Sequence, residues 1–539
     1  MKCHARALLA LMFPLCLMTV GGVKAADVDT QRILNADKDP GNWLTVGRTY
    51  SEQRYSPLTK INTGNVGQLG LAWYYDIKTR TARGLEATPL VVDGVMYTST
   101  AWSHVVALDA RTGKQLWEYN PQVNGGLAGR ACCDVVNRGV AAWEGKIFVG
   151  VLDGRLIALD AKSGKVVWQV QTTDPKKDYA ITGAPRVVDG KVLIGNAGAE
   201  FNARGYISAY DADSGKLIWR FYTVPGDPKQ GFENKAMEMA AKTWNGEWWK
   251  QGGGGTVWND MAYDPELKLL YFGVGNGVAW NANLRSEGKG DNLFIDSIVA
   301  VHIDTGEYAW HFQEVPGDEW DFDATQHIIL ADLPIDGRMR KVLMQAPKDG
   351  YFYVLDRQTG EFLSGTPFGT VTWSTGLDPK TGRPKIAPAA LYTKTGKPAV
   401  TVPGALGAHN WQAMSYSPKT GLVYIPAIEA GFAYAAIDPD QFKVHEGVMQ
   451  PNLGLDPIAT AMPEDEKIRT AIRKSSTGRL VAWNPVLKAP MWVVPYPLSW
   501  NGGLMSTAGN VLFQGTGQGH FLAYNAATGA KLWDFHAQT

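Results

Sequence analysis

The 539-residue chain has no excess of either charge, with 52 Lys and Arg against 52 Asp and Glu. It therefore lacks the basic surplus or stripe that marks a nucleic-acid surface. With 45% hydrophobic and 19% charged residues it is not a disordered chain. Cysteine is scarce, at four residues, and no Cys-x-x-Cys-His occurs, so the sequence offers no attachment point for a c-type haem. There is no HExxH zinc motif and no nucleophile triad. The glycine runs GVGNG and GTGQG lead into strand or loop patterns instead of opening a helix, which argues against a nicotinamide site. Beyond residue 25 no apolar run is long enough to span a bilayer, which takes about 20 residues.

What is present begins with a leader. Residues 1–25 read as a secretory signal peptide, with Lys2 and Arg6 at the positive end, an apolar stretch over residues 7–20 and small residues before Ala25. Residues 26–539 then form one domain, expected in the periplasm. Cys3 and Cys16 leave with the leader, and the adjacent pair Cys132 and Cys133 remains. Neighbouring Cα atoms lie ~3.8 Å apart, closer than an ordinary bridge prefers. This pair forms either a small strained ring or two thiols side by side, and in neither case joins distant segments.

Glycine is abundant at 60, and Trp at 20 outnumbers Phe at 17. The reason is a repeat: ALDARTGKQLW (107–117), ALDAKSGKVVW (158–168) and AYDADSGKLIW (209–219), followed by weaker copies ending at Trp310, Ser364, Trp492 and Trp533. Each copy reads as a hairpin around a Thr/Ser-Gly turn, and a second hairpin precedes it, as at Asp93-Gly94 and Asp189-Gly190. Two hairpins make a four-stranded antiparallel blade, which buries its faces only by stacking on its neighbours. The motif-final Trp residues are the natural wedges between blades. The expectation is an all-β propeller of eight blades with Trp-docking motifs. Seven are complete between Glu86 and Phe535. Residues 42–75 supply the outer half of an eighth, whose inner hairpin would lie past Thr539, so the ring is expected to be incomplete, with unpaired strand edges.

The Trp repeat, the vicinal cysteines and TVWND together resemble the pyrroloquinoline quinone (PQQ)-dependent alcohol dehydrogenases of the methanol/ethanol dehydrogenase family, nearest to the propeller of the quinohemoprotein members without their cytochrome domain. The resemblance runs from about Trp43 to Trp533. It implies a quinone on the propeller axis, with Trp258 under one face and a Cys132–Cys133 disulfide over the other. Glu86, Arg138, Thr182, Gly198, Ala199 and Thr256 match rim-binding positions, and Lys348 in APKDG matches the cation that meets the quinone oxygens. Asn410 and Trp411 in GAHNW, and Trp500 in SWNGG, match further contact or pocket positions. Glu200 and Asn276 match metal ligands, which suits the oxygen preference of hard cations, and Asp321 in PGDEWDFD matches the catalytic carboxylate.

One residue departs from the calcium-type pattern. Asp323 stands two positions after Asp321, and in extended chain i and i+2 point the same way. Three carboxylates at one ion suit a trivalent lanthanide better than calcium, and both metals stay open. The implied activity is oxidation of primary or secondary alcohols to aldehydes or ketones by hydride transfer to PQQ. Electrons would pass to a separate soluble c-type cytochrome. The alternative is a non-catalytic periplasmic scaffold of the outer-membrane assembly type, which would lack the adjacent cysteines and the axial Glu/Asn/Asp set. A sugar or polyol dehydrogenase is disfavoured by the same cysteines and the DEWDF segment.

Overall fold

The computed structural model describes residues 26–78, 84–447 and 449–537. The leader expected at residues 1–25 lies outside the described residues. The chain forms a ring of antiparallel four-stranded sheets, each running from an inner to an outer strand in sequence order. The first blade is Leu90–Val92, Val95–Ser99, Val105–Asp109 and Gln115–Tyr119. The third is Arg186–Val188, Lys191–Gly195, Tyr206–Asp211 and Leu217–Tyr222. The last is Leu504–Thr507, Val511–Gly515, His520–Asn525 and Lys531–His536, with Tyr55–Ser56 added in parallel on its inner edge.

The repeat motif does what its composition suggests. In the first three copies the terminal Trp donates its indole N–H to a backbone carbonyl in the following blade: Trp117 to Ala161 (2.9 Å), Trp168 to Ala212 (3.1 Å) and Trp219 to Ile303 (2.9 Å). The motif glycine of that next blade adopts a positive φ and lies flat against the ring. A Cβ at Gly164 would come within 2.6 Å of Trp117, and one at Gly306 within 2.6 Å of Trp219. Gly164→Ala is accordingly expected to combine left-handed strain with a ring clash, costing about 2–4 kcal/mol. Its thermal midpoint should fall by several degrees in a calorimetric scan while the mirror change at Gly94, which has nothing within 4 Å, costs only the strain.

The blade count corrects the expectation: there are seven four-stranded blades among the described residues, not eight. Among the described residues, 69–75 find no strand partner, because no second hairpin lies alongside them. They are wedged as one extended segment between the last blade and the first. Trp533 donates to the Leu69 carbonyl (3.2 Å), and Trp73 donates to Ala110 (3.2 Å) with its ring against Gly113. Trp docking therefore spans the expected gap without a sheet.

A second unforeseen feature is a hub. Residues 50–54 cross the inner ends of four blades, accepting from the backbone N–H of Tyr263 (at Tyr50, 3.1 Å), Leu330 (Ser51, 2.9 Å), Tyr416 (Gln53, 2.9 Å) and Ser506 (Arg54, 3.2 Å). Each bond satisfies a backbone group that the axis would otherwise leave bare.

The fold also carries an acid sensitivity. His311 packs edge-on to Phe294 with ring centroids 4.9 Å apart, and burial pushes its pKa down to about 4. Unfolded imidazole titrates near 6.5, so below that pH the unfolded chain binds a proton the fold refuses. Stability is expected to decline as the pH drops from about 6.5 towards 4, and His311→Gln should flatten that part of a plot of thermal midpoint against pH.

Candidate active site

Two local sequence devices build the site. The tetraglycine Gly252–Gly255 has φ of +71°, +81°, +77° and +67°. A Cβ at Gly254 would meet the Asn276 carbonyl at 2.6 Å. Only glycine lets this chain lie against the 275–277 segment, where Gly255 N–H donates to Asn276 O (2.8 Å) and Gly275 N–H to Thr256 O (2.9 Å). Thr256 and Trp258 are thereby placed beside Asn276.

The second device is WDFD. Trp320 and Phe322 are buried and pack against Trp373, with ring centroids 5.4 and 5.3 Å away. The alternating Asp321 and Asp323 consequently face the other way, into a cavity of about 530 Å³. Asp321 sits at φ +65°, a conformation rare for a non-glycine residue. Lys348 fixes it there by donating to the Asp321 carbonyl (2.8 Å) and to its Oδ2 (2.9 Å).

Every site residue named from the sequence lines this cavity except Ala199, which is buried in the short turn Ala199–Phe201 whose neighbours Gly198 and Glu200 do line it. Asp323 is the centre of the polar network. Its Oδ1 accepts from the Trp258 indole (3.2 Å) and the Asn276 backbone N–H (2.9 Å), and its Oδ2 pairs with Lys348 (2.6 Å). Asn276 Nδ2 donates to Glu200 Oε1 (3.0 Å). The donors are thus bridged in pairs through Asn276 and Lys348. Among the described residues, the tight triad of His, Asp and Glu ligand-type atoms, all within 4.8 Å, is a different one, Glu52, Asp260 and His327.

Burial raises Asp321 well above the usual carboxylate range, Lys348 opposing and Asp323 and Glu200 adding to the rise. Glu200 rises for the same first reason, with Asp323 adding to it. Burial alone would lower Lys348, but Asp321 and Asp323 outweigh it and hold its pKa well above the ordinary lysine value. Three carboxylates and one ammonium leave −3 + 1 = −2 on full ionisation, a charge that a bound cation would relieve.

The rest of the cavity suits a flat polyanionic disc. Trp258 offers an aromatic face, and the Arg138 guanidinium carbon is 4.8 Å from its ring centroid. Arg138 is held by Glu86 (2.8 Å) and donates to Thr182 (2.7 Å). The sulfurs of Cys132 and Cys133 are 2.7 Å apart as two thiols, not the disulfide that the resemblance implies. Trp411 and Trp500 meet edge to face at 6.4 Å. Asn410 spends its amide on Leu406 O (2.8 Å) and Trp411 N–H (2.8 Å), so it shapes the loop.

The sequence reading missed an apolar wall formed by Trp280, Leu406, Phe432, Met449, Leu453 and Leu455. Trp280 carried a usable signal, since like Trp258 it closes no repeat. Of the others, Phe432 opens a three-residue strand and Met449 a four-residue helix, both too short to show a period, and Leu406, Leu453 and Leu455 lie on rim loops. Asn452 donates to the Glu200 carbonyl (3.2 Å) and so pins that rim loop to the turn bearing Glu200.

The fold and site together define a PQQ-type propeller dehydrogenase. Residues 43–372 match the family described as glucose/ethanol/alcohol dehydrogenase, beta-propeller domain, a PQQ family. The chain is 57% identical to the quinohemoprotein alcohol dehydrogenase ADH-IIG of Pseudomonas putida over 94% of its own length and 71% of that protein's. The solved structure of that relative superposes with a TM-score of 0.91, covering 96% of this chain and 75% of the other. A europium-containing methanol dehydrogenase, 34% identical, superposes with a TM-score of 0.84 over 94% of this chain and 87% of the other. This chain belongs to the PQQ-dependent alcohol dehydrogenase family and is an enzyme of that kind.

Proposed function

We propose that the enzyme oxidises alcohols with an apolar chain, using PQQ seated on Trp258 and a lanthanide ion held by Glu200, Asn276, Asp321 and Asp323. The observation that carries this is Asp323, an extra carboxylate in the same cavity as Asp321 and Glu200 and joined to both Trp258 and Lys348. The 34% identity to a europium-containing enzyme supports the choice of metal. PQQ, when bound, supplies the two-electron acceptor, and the metal a Lewis acid beside it.

The protein's own groups do the rest. Asp321 takes the hydroxyl proton of the alcohol as general base. Lys348 holds the Asp321 backbone and carboxylate in place. Arg138, backed by Glu86, meets carboxylate charge at the rim. The Cys132 and Cys133 sulfurs are close enough for an oxidising compartment to close the ring. The leader read from residues 1–25 supports export to the periplasm, with a soluble c-type cytochrome as electron acceptor.

The apolar wall sets the substrate. Burying a methylene is worth about 0.8 kcal/mol, so kcat/KM is expected to rise up to roughly fourfold per added CH₂ until the pocket is full. The test is reconstitution with PQQ and either calcium or lanthanum, followed by dye reduction with a series of linear primary alcohols. Higher activity with lanthanum and a rise from ethanol towards longer chains supports the reading. Activation by calcium alone overturns the metal, and failure to bind PQQ overturns the whole site.

A further inference from the structure

A second cavity of about 180 Å³ shares Glu86, Arg138 and Trp411 with the larger one and reaches Arg186, Asp260 and His327 at its other end. Its volume has room for about six waters at the ~30 Å³ each takes in the liquid. Leu85, which also lines it, is 52% exposed and marks a side open to solvent.

The buried end holds an unusual set of groups. Arg186 bridges Glu52 Oε1 (2.8 Å) and Asp260 Oδ1 (2.6 Å). Asp260 Oδ2 accepts from Ile328 N–H (2.9 Å). His327 is 3% exposed, yet among the described residues neither ring nitrogen has a hydrogen-bond partner, and Glu52 Oε2 has no hydrogen-bond donor either. His327 Nε2 lies 3.9 Å from Glu52 Oε2 and 4.0 Å from Asp260 Oδ2, spacings that an intervening water joins. The other groups nearby are committed elsewhere. Arg54 donates to Leu504 O, Val46 O and Thr88 Oγ1, and His409 is fixed between Ala346 O and Gln412 O. A metal does not fit this triad, because the two carboxylates are already balanced by Arg186 and Arg54.

We propose that this cavity carries protons from the active site to the solvent side at Leu85, with His327 exchanging protons between its water and the Glu52–Asp260 pair at the buried end. The proposal rests on the larger cavity being the site of alcohol oxidation. Oxidation of R–CH₂OH breaks the O–H bond and one C–H bond and forms C=O. Once two electrons have passed through the quinone to a one-electron acceptor such as a c-type cytochrome, two protons remain to be delivered to solvent. A neutral imidazole accepts on one nitrogen while releasing from the other. It therefore passes a proton without resting as the cation, which burial disfavours here.

The test uses the loaded enzyme and two variants, His327→Gln and Ala87→Leu, a partly buried wall residue whose larger side chain narrows the cavity. Single-turnover reduction of the bound quinone by alcohol is expected to keep its rate in both. Proton release, followed with a pH indicator in weak buffer, and steady-state dye reduction should each slow about tenfold, with added imidazole restoring part of the loss in His327→Gln. Proton release at the parent rate in both variants overturns the proposal. A crystal structure gives an independent reading: ordered waters from His327 to Arg138 support the route, and a dry cavity overturns it. A parent enzyme whose quinone is not reduced by alcohol refutes the functional assignment instead, and the crystal waters still decide the cavity.

Discussion

Asp321→Asn should lower kcat about 10²–10⁴-fold for every alcohol tested, the span that general-base catalysis contributes and equivalent to about 2.7–5.4 kcal/mol of barrier. Quinone binding, followed by quenching of Trp258 fluorescence, should change little. The asymmetry follows from the geometry. Lys348 would still donate to the residue-321 carbonyl and still pair with Asp323, so the left-handed turn survives the substitution. What disappears is the only ionisable oxygen acceptor at that position. Because the base must be ionised to accept a proton, the parent enzyme should lose activity as the pH falls and the carboxylate is protonated. The residual activity of the variant should lack that acid limb. A loss that appears in KM with kcat preserved would mean that Asp321 merely helps to hold substrate.

The parts of this protein that could be read from its sequence are those with a period or a steric necessity. The Trp repeat marks blades because each ring must land on a glycine of the next blade, as Trp117 does on Gly164. Asp321 and Asp323 share the cavity as expected, but with Asp321 at φ +65° the chain is not extended there, and the burial of Trp320 and Phe322 supplies the reason instead. Residues 69–75 show the limit. Their Trp motif is genuine, but a blade needs neighbours to pair with, and the motif alone does not report them. Ala199 was carried along by the motif around it, and the cavity wall runs through Gly198 and Glu200 instead. The hub segment with its Glu52, and the charged groups Arg186, Asp260 and His327 around it, come from four separate stretches of chain, joined only by long-range contacts. The apolar wall escaped notice because rim loops such as that carrying Leu453 and Leu455 have no helical or strand period.

Asp323→Asn should move the metal preference from lanthanide towards calcium by a factor of about 10²–10³. A trivalent ion gains one more unit-charge attraction from this carboxylate than a divalent ion does. At 4 Å and an effective dielectric constant of 20 that difference is about 4 kcal/mol, nearly a thousandfold, and Asn removes it. The amide keeps an oxygen able to accept from the Trp258 indole and the Asn276 N–H, so the network around Oδ1 can persist. The Lys348 ammonium loses one of its two anionic partners and should lean more heavily on Asp321. Two measurements separate affinity from turnover. Terbium emission sensitised by Trp258, whose indole nitrogen is 3.2 Å from Asp323 Oδ1, reports lanthanide binding in the absence of substrate. The ratio of lanthanum-supported to calcium-supported dye reduction reports the working preference. Both should fall together if Asp323 is a metal ligand. Unchanged terbium affinity with an unchanged activity ratio would make Asp323 a partner of Lys348 and Trp258 only, and the site one that holds its ion through Glu200, Asn276 and Asp321.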